Sequence, residues 1–395
     1  MATRFRLFTL GGLAALAFML FSPYFMRSVD DPEIGKEITV AVQEGTSYIP
    51  TKFRKYFGSK WNDPPIQAWP DECTEEESAK AKSYIITSIS DNHFDELHAW
   101  VGLTQQFILD KNWEIIVIDL GISKEHVKEI KSWEKVDLVP YDWRWLGFDP
   151  GTSIHTILEK IMGYTNSVWK PPVVWYAAQR MLRESDGCGY IFSVDPSVRT
   201  YKEFWSPPVI PALAYKYGFL GARDPSGSGA SIFYSGGLPT AHEVTGIISR
   251  SGERYAEAPV VMGGFTMWRP SNHEARLNML YPWVACARNI TCIAPPGAVG
   301  FPGHPPKDNI PPSCAVSARD LCHRGDQGLL TMLTYEYFHK KPRYPKDPFD
   351  YGVVCNNTIF SLGWTKGWPT THDGYGYIVH RGSDEDKEGA KIVKK

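Results

Sequence analysis

Hydrophobic positions along the first half of the chain alternate between short apolar runs and helical stripes. Tyr84-Ile85-Ile86-Thr87-Ser88 reads as a strand. Asp91 to Asp110 reads as a helix, with Phe94, Leu97, Trp100, Val101, Leu103 and Phe107 forming one apolar stripe. Trp113 to Asp119 is a second strand and ends in an acid. Ser123 to Trp133 is a helix for which Ser123 is the natural N-cap; His126 lies near its start, and Glu125 and Glu129 on its exposed face. Val136 to Pro140 is a third strand, and Thr152 to Gly163 is helical. Pro171 and Pro172 suit the first turn of a further helix running to about Glu184, because proline lacks the N–H that this turn leaves unbonded. Tyr190 to Val194 is a fourth strand. Strands alternating with helices predict a mainly parallel sheet, and apolar runs of this length are what strands buried on both faces require.

The stretch Gly189-Tyr190-Ile191-Phe192-Ser193-Val194-Asp195-Pro196-Ser197-Val198-Arg199 is the focus of this pattern. An apolar strand runs to an acid and then turns. In open α/β sheets, ligands bind beyond the carboxyl ends of the strands. Asp195 is therefore a candidate ligand-binding or metal-binding carboxylate. Asp-Pro is also an ordinary turn former, so a capping role is the competing reading.

The second half is less periodic. Lys202 to Pro239 is dense in Pro, Gly and Tyr. Pro259 to Met262 and Phe265 to Trp268 read as strands, Asn272 to Arg288 as helix, Cys292 to Pro312 as a long Pro/Gly loop, and Arg319 to His339 as helix. Thr358 to Leu362 and Tyr375 to Val379 are the last strand candidates. The charged end, Ser383 to Lys395, is expected to fray. The two halves read as one unit, with no internal repeat.

The N-terminus changes the setting. Leu7 to Met26 is an uncharged apolar run of 20 residues, about the length that spans a bilayer core. It exceeds the core of a signal peptide and ends without a small-residue cleavage site. Arg4 and Arg6 precede it, while Asp30 and Asp31 follow Arg27, so the positive-inside rule leaves residues 1–6 cytosolic and the remainder luminal. The expected organisation is a cytosolic tail (1–6), a transmembrane signal-anchor (7–26), a stem (27–79), a luminal domain (80–382) and a charged tail (383–395). A cleaved signal peptide is the rival. Asn289-Ile290-Thr291 and Asn356-Asn357-Thr358 are glycosylation sequons, which matter in a secretory lumen. The seven cysteines form no C-x-x-C pair, which argues against a zinc ribbon. In an oxidising lumen the C-terminal group is expected to be mostly paired, with at least one thiol left over. Basic and acidic side chains nearly balance, 42 against 44, which removes nucleic acid as a partner. Aromatics make up 13% of residues; aromatic faces suit sugar rings, but they more often fill cores.

Several familiar motifs are excluded. His242-Glu243 and His273-Glu274 begin like zinc-protease helices but lack the second His four residues on, and Ser226-Gly227-Ser228-Gly229 lacks the first Gly of a nucleophile elbow. There is no P-loop. Ile118-Asp119-Leu120-Gly121-Ile122-Ser123 resembles the first methyltransferase motif without its second Gly, leaving a luminal methyltransferase as a minor alternative. The densest polar cluster is Cys322-His323-Arg324-Gly325-Asp326-Gln327, which opens a helix where anions are favoured. Helix capping is its competing role.

In order along the chain, Val117-Ile118-Asp119-Leu120-Gly121, Trp169-Lys170-Pro171, Val194-Asp195-Pro196-Ser197-Val198-Arg199, Trp283-Val284-Ala285-Cys286-Ala287, Cys292-Ile293-Ala294-Pro295 and the Cys322–Gln327 block resemble the domain of unknown function 1647, an animal family expanded in nematodes and regarded as glycosyltransferase-like. The resemblance covers roughly Tyr84 to Phe338 and extends to nucleotide-sugar transferases of the GT-A type. It implies a GT-A-like, mainly parallel α/β sheet flanked by helices. It implies transfer from a nucleotide-sugar, a UDP-sugar by resemblance, to a glycan or glycoprotein acceptor in the Golgi or ER. By the same resemblance, Thr87 and Ser88 lie near the nucleotide and Asp119 near base or ribose. Lys170 and Arg199 neutralise the diphosphate, with Ser197, His323 and Arg324 nearby. Asp195 binds a divalent metal (Mn2+ or Mg2+) or ribose. His372, in Thr371-His372-Asp373-Gly374, is a candidate late metal ligand, with a loop histidine satisfied by solvent as the competing and favoured reading. Asp326 and Gln327 position the sugar, or Asp326 acts as base. Ser197 stands where the family type has a second Asp. That departure leaves open a protein of the same fold that binds sugar without turnover.

Overall fold

The computed structural model describes residues 69–70, 72–146, 168–200, 214–223, 261–293, 325–339, 354–355, 379–381 and 392–395. Its centre is a seven-stranded mixed sheet. The strands in chain order are β1 (Ser83–Ile89), β2 (Trp113–Asp119), β3 (Val136–Pro140), β4 (Ile191–Val194), β5 (Val198–Thr200), β6 (Phe219–Arg223), β7 (Val261–Trp268), β8 (Val354–Cys355) and β9 (Val379–Arg381). The main sheet has the order β3-β2-β1-β4-β7-β6-β8, and β5 pairs with β9 in a separate two-stranded ladder. The first four members are parallel. β7 then runs antiparallel to β4 and to β6, while β8 is parallel to β6. The parallel part arises where the sequence alternates strand and helix, and β2 and β3 have the bounds their apolar runs predict.

Helices cover both faces: α1 (Glu75–Lys80), α2 (Phe94–Ile108), α3 (Lys124–Ile130), α4 (Lys170–Ser185), α5 (His273–Ala275), α6 (Tyr281–Ala287), α7 (Ile290–Ile293) and α8 (Gly325–His339). On one face, Tyr84, Ile86, Ile116, Ile118 and Ile191 pack with α4, α6 and α8. On the other, Ile85, Ile115, Val117, Phe192 and Phe265 pack with α2 and α3. Successive residues of a strand point to opposite faces, so each apolar run feeds both cores. Much of the aromatic content is consumed here. Trp100, Trp133, Trp268 and Trp283 are fully buried, and Trp268 stacks on Trp283 at 5.5 Å.

Several expectations are sharpened or corrected. Ser123 caps α3 through its side-chain oxygen, as its position predicts. The two expected strands 259–262 and 265–268 are one strand, β7, which runs through Gly263 and Gly264. The helix expected over 272–288 contains a π-helical turn, Arg276–Leu280, between α5 and α6. It ends two residues before Pro282, whose ring conflicts with the carbonyl one regular turn back, and the wider turn removes that conflict. Cys292 and Ile293 belong to α7 rather than to the loop expected from Cys292 onward, because their N–H groups close onto the carbonyl of Asn289 and the Cys286–Cys292 disulfide ties the turn to α6. The last residues are not frayed. Buried Gln105 accepts a hydrogen bond from Val393 N–H at 2.8 Å and donates to the Val393 carbonyl at 3.0 Å, while Lys395 N–H donates to the Ser132 carbonyl. A buried amide needs such partners, and the chain end supplies them. Within the stretch expected to finish the stem, Trp69, Cys73 and Ser78 are buried, and a Cys73–Cys188 disulfide ties it to the turn before β4. The helix expected over Thr152 to Gly163 and the strand expected over Thr358 to Leu362 lie outside the described residues; of the strand expected over Tyr375 to Val379 only Val379 is described, and it belongs to β9.

At the amino-terminal edge of the parallel strands, Lys82, Glu114, Asp137, Arg180 and Glu184 form one charged network. Arg180, near the end of α4, bonds Asp137, Glu114 (3.2 Å) and Glu184 (2.7 Å). Lys82 bonds Glu114 at 2.5 Å and Glu184 at 2.8 Å, and the Tyr84 hydroxyl donates to Glu184 at 2.7 Å. Partial burial raises the Glu184 carboxyl, but hydrogen bonds from Lys82 and Tyr84 and the Arg180 charge outweigh it and hold the group at about 2. This network fixes the far end of α4 and leaves its first residue at the opposite edge of the sheet.

Candidate functional site

β1 lies between β2 and β4, so the chain builds outward on one side of β1 and then crosses to the other. The carboxyl ends of β1 and β4 therefore flank the point where strand order reverses, which is where open α/β sheets leave a crevice. Asp195 follows β4 at this edge. Its N–H donates to the Gly264 carbonyl at 2.9 Å, and its own carbonyl accepts from Val198 N–H at 2.9 Å. The turn at Pro196 and Ser197 is thus closed by main-chain atoms. The carboxylate is engaged elsewhere: Lys170, the first residue of α4, bonds both its oxygens, at 2.7 Å to Oδ1 and 3.0 Å to Oδ2. The two side chains are 12% and 24% exposed, so the pair is partly shielded yet reachable from solvent. Trp169 donates its indole N–H to Ser88 Oγ at 3.0 Å, locking the start of α4 to the end of β1.

β7 forms the floor. Thr266 pairs with Gly221 and Val261 with Arg223, so five positions of β7 pass two of β6. This bulge breaks strict alternation, and Val261 packs in the same core as Trp268. Gly263 and Gly264 occupy the irregular part. A Cβ on Gly264 would sit 2.3 Å from Asp195 Oδ2, and one on Gly263 would sit 2.7 Å from Asp326 Oδ2. Only residues without a side chain allow both carboxylates to approach this strand so closely. Asp326 is 3% exposed and lies in the first turn of α8, held there by the Trp283 indole, which donates to its carbonyl at 2.9 Å. Gln327 adjoins Gly263 and is half-buried. Two acids carried on separate elements, and one amine, are thereby gathered beside the glycine pair.

The residues expected at the site are not all together. Lys170, Asp195, Ser88, Asp326 and Gln327 belong to the face covered by α4 and α8. Thr87 and Asp119 fall on the other face by strand alternation, in step with Ile85, Ile89, Ile115 and Val117. Thr87 is buried, and its hydroxyl has no hydrogen-bond partner among the described residues. Asp119 Oδ1 accepts from the N–H groups of Gly121 and Ile122, both at 2.8 Å, and so closes the turn after β2. Gly121, at φ 127°, supplies the backbone conformation that turn needs. Ser197 lies in the turn between β4 and β5, and Arg199 lies in β5 opposite His380. Asn289 is half-buried between α6 and α7. His323, Arg324, His372 and Asn356 lie outside the described residues. The sequence reading missed the Gly263-Gly264 pair. Its signal was present, since two adjacent glycines inside an apolar run mark a bulge or a close approach of other groups.

The donor set does not favour a divalent ion on Asp195. The carboxylate is pressed against β7 on one side and spanned by an ammonium on the other, and Ser197 offers no second charge. Magnesium-like ions are held by carboxylates and phosphate oxygens. An ion here would compete with Lys170 for the same two oxygens. Among the described residues no group of three or more His, Cys, Asp or Glu side chains is disposed to hold a metal.

No protein-family model matches the sequence, and no curated protein matches it. Solved structures of low identity are similar. The bifunctional glycosyltransferase WbbM is 10% identical at a TM-score of 0.32, with 54% of this chain covered, and the chain spans only 35% of that protein's length. Mouse xyloside xylosyltransferase 1 is 12% identical over 79% of this chain and 100% of its own, at 0.35. Core-mannan synthase A from Aspergillus fumigatus, solved in a form with Mn and GDP, is 8% identical over 67% and 74%, at 0.36. Likeness at this level does not bear on what this chain binds.

Proposed function

We propose that the chain is a membrane-anchored glycosyltransferase of the secretory lumen that moves a sugar from a nucleotide-sugar, a UDP-sugar, to a glycan or glycoprotein hydroxyl. The observation that carries this reading is the Lys170–Asp195 pair at the strand-order reversal, with a second acid, Asp326, beside the same glycine floor. Lysine at the opening of α4 suits a leaving diphosphate: a positioned cation stabilises the negative charge that develops as the bond to the sugar breaks. In the transfer, the bond from the anomeric carbon to the phosphate oxygen breaks and the electron pair leaves with the nucleoside diphosphate. The acceptor oxygen bonds the anomeric carbon and its proton passes to a base. Asp326 is the base in this assignment, with Gln327 orienting the donor sugar. By the resemblance, Arg199 is assigned to the diphosphate as a second cation.

The two disulfides favour an oxidising compartment. The apolar run 7–26 lies outside the described residues, and among those described no helix is long and apolar enough to cross a membrane. Anchoring by 7–26 with a luminal domain is therefore part of the proposal and rests on the sequence.

The test is incubation of the purified full chain with a panel of nucleotide-sugars while free nucleoside diphosphate is measured. The expected result is slow release from one donor that is lost in Asp326→Asn. Donor binding with no release from any donor would instead support the sugar-binding protein without turnover. If no nucleotide-sugar is bound or turned over, the reading fails.

A further inference from the structure

Lys170 occupies the place where a donor-site cation has to act. It is the first residue of α4, it touches both oxygens of Asp195, and its side chain is largely shielded. The next two residues, Pro171 and Pro172, carry no N–H, so the opening turn of this helix offers an anion its lysine rather than a row of main-chain donors. Asp195 is closed to a further cation on the β7 side, because the position of a Gly264 Cβ is only 2.3 Å from its Oδ2. The Asp326 carboxylate is pressed against Gly263 in the same way and is almost wholly buried. Neither acid presents an open pair of oxygens to solvent.

We propose that the donor diphosphate is bound without a divalent ion, with Lys170 as the neutralising cation and Asp195 as the tether that holds Lys170 at the strand-order reversal until the diphosphate arrives. This rests on the nucleotide-sugar reading. An ammonium has three N–H donors, so Lys170 can keep one bond to Asp195 while turning the others to phosphate oxygens. Ser197 fits the scheme, since it adds no second negative charge to the turn after Asp195. Asp195 opposes binding in this arrangement by competing for Lys170, whereas an acid that held a metal would promote it.

That difference in sign makes the test. UDP is titrated by calorimetry into the full-length protein, once with EDTA and once with excess Mn2+. Equal affinity in the two buffers is expected. In EDTA, Lys170→Ala should weaken UDP about ten- to a hundredfold, the size of one charge-assisted hydrogen bond, while Lys170→Arg should recover most of the loss. Asp195→Asn, which keeps the shape and removes the charge, should bind UDP more tightly than the wild type. UDP binding that appears only with Mn2+ and disappears in Asp195→Asn would overturn the inference and leave the nucleotide-sugar reading standing. Binding in neither buffer would overturn both.

Discussion

At the scale of single residues, the site depends on what two glycines omit. Gly263 and Gly264 leave space that the Asp326 and Asp195 carboxylates fill. Gly264→Ala puts a methyl group 2.3 Å from Asp195 Oδ2, so the carboxylate must move and carry its two bonds to Lys170 with it. Overpacking of this kind costs about 1–3 kcal/mol. The expected outcome is a stability loss of that size by urea unfolding, together with altered UDP affinity; unchanged affinity would show that the Asp195–Lys170 geometry is irrelevant to the ligand. The acid after β4 was legible in the sequence because an apolar run ending in Asp is a local pattern. Its partner was legible only as a residue type. Lys170 lies 25 positions away, and nothing local states that its amine closes on both oxygens. Asp119 shows the limit from the other side: its strand-end position was plain, yet its Oδ1 is spent on the turn at Gly121 and Ile122.

At the scale of elements, α4 is the member that links the two edges of the sheet. Its first residue serves the candidate site, and its last turns hold the charged network of Arg180 and Glu184. Glu184 has a depressed carboxyl in the folded chain, about 2 against an ordinary 4.5. A depressed acid stabilises the fold fully above the unfolded value of 4.5, and this contribution is lost as pH falls from there through about 2. Unfolding by urea at about pH 6 and about pH 3 should show wild type losing more stability than Glu184→Gln over that interval. Equal losses would place the acid sensitivity elsewhere. Strand and helix bounds in this half were legible because propensity, caps and period agreed there. β7 was divided in the sequence reading because two glycines interrupt its pattern, and only the long-range bulge against β6 shows why a strand tolerates them. The π-helical turn was equally hidden, since the period of a helix survives one wide turn.

At the scale of the whole molecule, the sheet order explains why the site lies where it does. The carboxyl ends of the neighbouring strands β1 and β4 flank the strand-order reversal, α4 brings Lys170 there, and α8 brings Asp326 from the far end of the sequence to the same floor. The parallel α/β part of the sheet was legible from alternation; the antiparallel placing of β7 against β4 and β6 was not. The division of the expected residues between the two faces was not drawn from the sequence, although strand alternation contains it: Ser88 and Asp195 face α4, while Thr87 and Asp119 face the other core. The Cys73–Cys188 pairing, across 115 positions, had no local signal at all. The central claim is that a nucleoside diphosphate binds on the α4 face against Lys170. A crystal structure of the protein with UDP tests it most directly. The account predicts diphosphate oxygens in hydrogen-bond contact with Lys170 Nζ, above Gly263 and Gly264 and beside Asp195. UDP seated instead on the opposite face, around Asp119 and Thr87, would contradict it.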